Sequence, residues 1–275
     1  MRIHKDNLCS LGRQTEGLVS IVIPCYGGAS YLGQAIESCL NQTHRFIEVL
    51  VVDDASPDEC AAIGDRYALA DERVRVIRRE KNGGVARAFN SGFEQARGEF
   101  FLRLAQDDWF RNDAVELMVA RLREHSEAGL VYSDVHIVDM NGNLIHDLIT
   151  NEPESALFPA NRMSLGVMWR RTVWDKIGGF APCCDFAEDF DYWIRASIHF
   201  KLIKCHAPIL YFRYHDKQMS IRRESAQLAA HELALVRYWV RVLPSKPFSV
   251  TVWLKIPGHF LKYFGRKMMS LWPAA

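Results

Sequence analysis

Three short acidic clusters carry the chemistry on offer in this chain: Asp53-Asp54, Asp107-Asp108, and Glu188-Asp189 with Asp191 close behind. Adjacent carboxylates repel, so each pairing is unfavourable unless a cation or the donors of a ligand offset it. A hard divalent ion, Mg²⁺ or Mn²⁺, is the natural counterpart. Bound to a diphosphate, such an ion needs only one or two protein carboxylates, because phosphate oxygens and water complete a shell of about six ligands. A single pair also has a plain structural use, since acids at strand ends hold turns and cap helices. Three pairs in one chain favour a charged ligand.

The elements that must position these acids follow from periodicity. Val19 to Pro24, Val49 to Asp53, Val74 to Ile77 and Phe100 to Leu104 are runs rich in branched and aromatic residues and predict short buried strands. Between them lie helical patterns. Ser30 is placed to cap a helix carrying Leu32, Ala35, Ile36 and Leu40, Pro57 to open the next, and Val85, Ala88, Phe89, Phe93 and Ala96 form one apolar face of a third. Strand and helix alternating at this spacing predict βαβ units and an α/β fold with a mostly parallel sheet. Ligands of such sheets collect at the carboxyl ends of the strands, where Tyr26, Asp53, Asp54, Asp107 and Asp108 fall.

Further along, Asn112 is placed to cap a helix reaching about His125, and Gly129 to Ser133 predicts a strand. Val135 to Val138 and Leu144 to Leu148 flank Asn141-Gly142, a favourable hairpin turn. Asn151 to Asn161 has two prolines and little periodicity and is expected to be a loop over the cleft. A strand from Met163 to Arg170, a helix ending near Gly178-Gly179, a helix over Asp189 to Ile198 and a final helix from Glu224 to Leu243, stopped by Pro244, complete the reading.

Composition narrows the function. A net charge of +1 argues against a dedicated nucleic-acid binder. Seven cysteines, an odd number with no C-x-x-C pair, fit reduced thiols in a cytosolic protein. No apolar secretion signal or membrane-spanning run stands out. From Leu233 onward there is no acidic residue, while Arg237, Arg241, Lys246, Lys255, Lys262, Arg266 and Lys267 alternate with aromatics. That makeup suits a segment lying on anionic lipid, or equally a packing helix with a solvated basic face.

The segments S-I-V-I-P-C-Y, V-V-D-D-A-S-P-D, N-G-G-V-A-R-A-F-N, L-A-Q-D-D-W and A-E-D-F-D-Y-W-I-R-A follow one another in this chain. In that order they resemble the family-2 inverting glycosyltransferases of the GT-A fold, in particular bacterial members that build cell-surface polysaccharides. The likeness covers residues 18–220, leaving 1–17 as an N-terminal extension and 221–275 as a C-terminal helical extension. It implies a nucleotide-diphosphate sugar donor carrying UDP, GDP or dTDP, a divalent metal, and a glycan or lipid-linked glycan as acceptor. It also implies a cytoplasmic site, at the inner face of the plasma membrane if the basic tail binds lipid.

By the same resemblance, Pro24 and Tyr26 would line the base pocket, Asp54 would accept from a base imino group, and Asp53 would support that loop. Asn82, Gly84 and Asn90 match the stretch that lets the backbone approach the donor, with Arg87 as a phosphate contact. Asp107 would touch ribose or metal and Asp108 would be the principal metal ligand. Ala105 stands where many relatives carry a further Asp, so fewer protein ligands hold the ion. Asp189 matches the general base that takes the proton of the attacking hydroxyl, and Glu188 would orient the acceptor or a metal-bound water. In Y-F-R-Y-H-D-K-Q-M-S, Arg213 and His215 match the basic or imidazole groups that return to the diphosphate and its metal. Trp109, directly after the second acid pair, is the aromatic placed to stack on a sugar.

Other readings fit less well. A phospho-receiver domain explains V-V-D-D but not the later E-D helix. A nicotinamide-dependent dehydrogenase lacks its G-x-G-x-x-G, since Cys25-Tyr26-Gly27-Gly28 follows the first strand. A sugar nucleotidyltransferase lacks its basic glycine-rich loop, and an inactive binding relative has no need of an intact Asp108 and Asp189.

Overall fold

The computed structural model describes residues 14–153, 163, 166–215 and 224–242. Its strands are β1 (Thr15–Cys25), β2 (Ile47–Asp53), β3 (Val74–Arg78), β4 (Gly98–Arg103), β5 (Trp109–Phe110), β6 (Ala128–Val138), β7 (Leu144–Leu148), β8 (Val167–Arg170) and β9 (Lys201–Arg213). The helices are α1 (Ala29–Leu40), α2 (Cys60–Ala70), α3 (Val85–Phe93), α4 (Ala114–Glu124), α5 (Arg171–Ile177), α6 (Glu188–Ser197) and α7 (Glu224–Val242). A 3₁₀ turn, Pro182–Cys184, precedes α6.

The strands form one sheet in the order β3-β2-β1-β4-β8-β6-β9-β5, with β7 added to β6. Strands β3, β2, β1 and β4 are parallel, as the βαβ reading predicts. The other half is mixed: β8 runs antiparallel between β4 and β6, while β6 and β9 are parallel. Side chains alternate across the sheet. Val19, Ile21, Ile23, Val49 and Val51 pack on one face with α1, α2 and α4, while Val22, Leu50, Val52 and Phe101 pack on the other with α3, α5, α6 and α7. The second face is dense in aromatics, with Phe93, Phe180, Trp169, Tyr192 and Trp193 in mutual ring contact or linked through one another.

Register sets up the site. Cys25 pairs with Asp53 and Asp53 with Arg78, so the chains leaving β1, β2 and β3 emerge side by side. Three local expectations are corrected. Ser30 is not the cap of α1: the helix starts earlier, and Asp58 Oδ2 accepts the Ala29 N–H at 2.9 Å, a cap supplied from another loop. The cap position of α4 is Asp113, not Asn112. The run before His215, expected only as a closing segment, is the end of the thirteen-residue strand β9. The hairpin at Asn141-Gly142 forms as expected, with Gly142 at φ +87°. The loop expected over Asn151 to Asn161 lies mostly outside the described residues, as do Cys9, Pro244 and the basic tail beyond Val242.

Candidate active site at the strand ends

Near the end of β1, Pro24 is half-buried, and just past it Tyr26 stands 49% exposed. Tyr26 is held by a residue that sequence reasoning passed over. Gln106 accepts the Tyr26 N–H at 2.9 Å and donates to the Tyr26 carbonyl at 3.1 Å. The same carboxamide fills the space beside Gly28, where a Cβ would lie 2.2 Å from it.

Asp53 Oδ1 accepts the Ser56 N–H at 3.0 Å, within the loop that follows β2. Asp54 is more heavily engaged than the base-acceptor expectation allows. Both its oxygens accept the Gly83 N–H at 3.1 Å, Oδ2 accepts the Gly84 N–H at 3.0 Å, and Arg79 forms an ion pair with Oδ1. Asp54 therefore fixes the N-G-G segment against β2. Gly84 is required there: its φ is +89°, and a Cβ would meet the Asp185 carboxylate at 2.2 Å. Asp185 Oδ1 in turn accepts the Ala86 N–H at 3.1 Å, linking this segment to the loop before α6. Asn82 and Arg87 are exposed, with Arg87 Nη1 donating to the Gly83 carbonyl at 2.9 Å. Asn90 clamps Phe180 through two hydrogen bonds of 2.9 and 2.8 Å.

The second pair divides. Asp108, expected as the principal metal ligand, is turned inward: it is 2% exposed and its Oδ1 accepts the backbone N–H of Arg213 at 3.0 Å. Burial and the charge of Asp107 push its carboxyl up, while that hydrogen bond and the guanidinium groups of Arg103 and Arg213 pull it back. Asp107 is the more open member, with its side chain 22% exposed and Oδ2 lying 3.1 Å from His215 Nε2. Arg213 does not reach out toward a ligand. Its Nε donates to the Asp107 carbonyl at 3.1 Å and Nη1 to the Met140 carbonyl at 2.6 Å, and its guanidinium lies over both Tyr31 and Trp109. Trp109 is also stacked on Tyr211 at 5.1 Å, so its ring is taken up by protein groups rather than offered to a sugar.

The third cluster opens α6, where the helix N-terminus favours negative charge. Glu188 is buried, and its carboxyl is pushed up to about 7 by burial first and by Asp189 second, against the opposing pull of Arg103. Asp189 is more open, its side chain 14% exposed, and its Oδ1 accepts the Phe190 N–H at 2.6 Å. Asp191 faces away, buried between Arg195 and Arg237. Arg103, also missed from sequence, joins the two clusters. From the last position of β4 it reaches Glu188 at 3.4 Å and Asp189 at 3.6 Å while acting on Asp108. One guanidinium at the end of β4 thus contacts both acids of α6 and acts by its charge on Asp108.

Among the described residues no group of three or more His, Cys, Asp or Glu side chains is arranged around one point as a self-sufficient metal cage. The donor set fits an ion that arrives with phosphate oxygens: one carboxylate, Asp107, beside one imidazole, His215, a combination Mn²⁺ accepts. The six described cysteines form no disulfide. No described helix is long and apolar enough to cross a membrane.

Comparison with known proteins gives the family and the fold. The profile of glycosyl transferase family 2 matches residues 20–187. Chondroitin synthase of Escherichia coli is 30% identical over 237 residues, covering 82% of this chain and 33% of that protein. An uncharacterized glycosyltransferase of Rickettsia bellii is 30% identical over 239 residues, covering 81% of this chain and 33% of the relative. The chain thus spans about a third of the length of these curated relatives. In fold it is similar to S. aureus TarS 1–349 in complex with UDP-GlcNAc, with TM-score 0.66 at 21% identity over 82% of this chain and 66% of the other. It is likewise similar to the mannosyltransferase PcManGT of Pyrobaculum calidifontis in complex with GDP-Man and Mn²⁺, with TM-score 0.60 at 15% identity over 94% and 76% of the two chains. With the strand-end acids, the E-D helix and the matched span in agreement, the chain belongs to glycosyl transferase family 2 and has the GT-A fold.

Proposed function

We propose that this chain transfers a sugar from a nucleotide-diphosphate donor to a hydroxyl acceptor with inversion at the anomeric carbon, assisted by a divalent metal. The observation that carries the reading is Arg103, which lies in ion-pair range of Glu188 and Asp189 and whose charge also acts on Asp108, the neighbour of the Asp107–His215 pair. Tyr26 and Pro24 border the base, and the Asp54–Arg79 pair forms the floor of that pocket. The cation-holding role passes from Asp108 to Asp107 with His215, because Asp108 is committed to the Arg213 amide. A metal bound there supplies charge stabilisation for the departing diphosphate. Asp189 takes the proton from the acceptor hydroxyl as its oxygen attacks, and Glu188, kept near neutrality by burial, holds the acceptor by hydrogen bonding.

The acceptor side is the β6–β7 hairpin, which Arg213 ties to the Asp107 segment through the Met140 carbonyl. Leu144, Ile145 and Leu148 are exposed there. That apolar edge, with the basic tail, favours a lipid-linked glycan acceptor and work in surface polysaccharide or glycolipid synthesis at the inner face of the membrane. UDP, GDP and dTDP sugars screened by thermal shift with and without Mn²⁺ test the reading. One donor raises the melting temperature only when the metal is present, and the absence of any such donor would sink the proposal.

A further inference from the structure

The family match ends at residue 187, yet helix α7 lies far beyond it and grips the E-D segment. Arg237 reaches from α7 to both ends of that segment. Its Nε donates to Asp191 Oδ1 at 2.9 Å, inside the first turn of α6, and its Nη1 donates to Cys183 Sγ at 2.9 Å, in the 3₁₀ turn before it. Between those two anchors lie Asp185, which holds the N-G-G segment, Phe186 at φ +79°, and the acids Glu188 and Asp189. A non-glycine residue in that left-handed region is strained and persists only where the surroundings hold it.

The grip continues on either side. Asp191 is 2% exposed, and its other oxygen accepts Arg195 Nε at 2.7 Å. Arg195 then donates to the Ile177 and Gly179 carbonyls at 2.8 and 2.7 Å, tying α6 to the end of α5. On α7 itself, the His231 ring lies 4.8 Å from that of Phe190, the residue after Asp189, and Ala230, Ala234 and Leu235 are buried in the same core as Phe190. A buried carboxylate bonded to two guanidinium groups is a fixed point, since removing either partner leaves charge uncompensated.

We infer that Arg237 is a positioning residue for the transfer reaction: by bridging Cys183 and Asp191 it sets the backbone of residues 185–189, and so the placement of Asp189 against the acceptor. The inference rests on the proposed function for its kinetic consequence. Its structural consequence is independent. Arg237 has no described contact with Tyr26, Asp54 or Asp107 and reaches the donor-side N-G-G segment only through Asp185, so the bridge acts on transfer more than on donor binding.

The test uses the full chain, with Arg237→Gln and Arg237→Lys, and the donor that stabilises the wild type in the thermal screen. Arg237→Gln is expected to lower kcat by roughly 10- to 100-fold, the scale of a misplacement near 1 Å, with donor KM changed less than about threefold on the same reasoning. Arg237→Lys keeps the charge beside Asp191 but cannot fork to both anchors, so it recovers part of kcat. In both variants amide hydrogen exchange over residues 184–191 is expected to quicken while exchange in β1 and β2 stays as in the wild type. Unchanged kcat in folded Arg237→Gln, or loss of donor affinity in step with kcat, overturns the inference. So does unchanged exchange at 184–191 in Arg237→Lys, should Arg237→Gln fail to fold. A wild-type chain that transfers nothing from any donor counts against the proposed function, and the exchange comparison then decides the bridge by itself.

Discussion

Asp107-Asp108 and Glu188-Asp189 are both adjacent acids, and each divides into a buried and a more open member, but on different supports. In the first pair the second residue is buried and the amide of Arg213 on β9 holds it. In the second pair the first residue is buried, and the contact described for it is the guanidinium of Arg103 at 3.4 Å. Neighbouring side chains diverge on a helix as on a strand, so only one of two consecutive acids can face a given cleft. The contrast shows how repulsion is put to use. One buried acid becomes part of the scaffold by accepting a backbone donor, and the other sits beside a guanidinium with its carboxyl pushed up by burial.

The sharpest way to test the division is at the open members. Asp189→Asn keeps the shape of the site and removes the proposed base, so transfer is expected to fall by about 10²- to 10⁴-fold while donor binding persists. Steady-state rates beside calorimetric donor titration read the two quantities, and retained turnover removes Asp189 from its role. Next in size, Asp107→Asn is expected to weaken Mn²⁺-dependent donor affinity by at least about tenfold, in line with losses seen when a metal site is disturbed. Asp108→Asn keeps an acceptor for the Arg213 amide and is expected to change that affinity far less. Equal effects in the two variants would break the comparison.

The buried members give smaller effects, on stability. Asp108→Ala leaves the Arg213 N–H without its acceptor and costs about 1–3 kcal/mol, read by urea denaturation at constant slope. Glu188 gives a pH signature. Its folded carboxyl is pushed up from 4.5 to about 7, so the folded state keeps a proton that the unfolded chain releases. The stability this contributes is complete below about pH 4.5 and is lost as the pH rises through about 7. Glu188→Gln is expected to flatten the fall in melting temperature across that window, and an unaltered profile would remove Glu188 from the titration.

The parallel half of the sheet was legible because β1, β2 and β4 hold buried apolar runs, with Asp53 closing β2 and Asp107-Asp108 following a short way after β4. The mixed half was harder. Strand β9 contains Lys201, Lys204, His206 and Pro208, which broke the apolar pattern, and its pairing with β6 supplied what the local sequence did not. At the site, residue types pointed to the acids but not to their orientation. Gln106 and Arg103 went unnoticed, and Arg237 was read only as part of the basic tail, for the same reason: each acts on a residue at least 46 positions away, and no local spacing encodes such a partner.

By itself the sequence determined which chemistry is available: acids at strand ends, an E-D pair opening a helix, and glycines where the backbone must turn left-handed. Tertiary structure alone decided which acid of each pair faces the cleft. A carboxylate's role depends on the donors that surround it and on its burial, and here those donors come from β4, β9 and α7, brought together only when the sheet and its helices close around them.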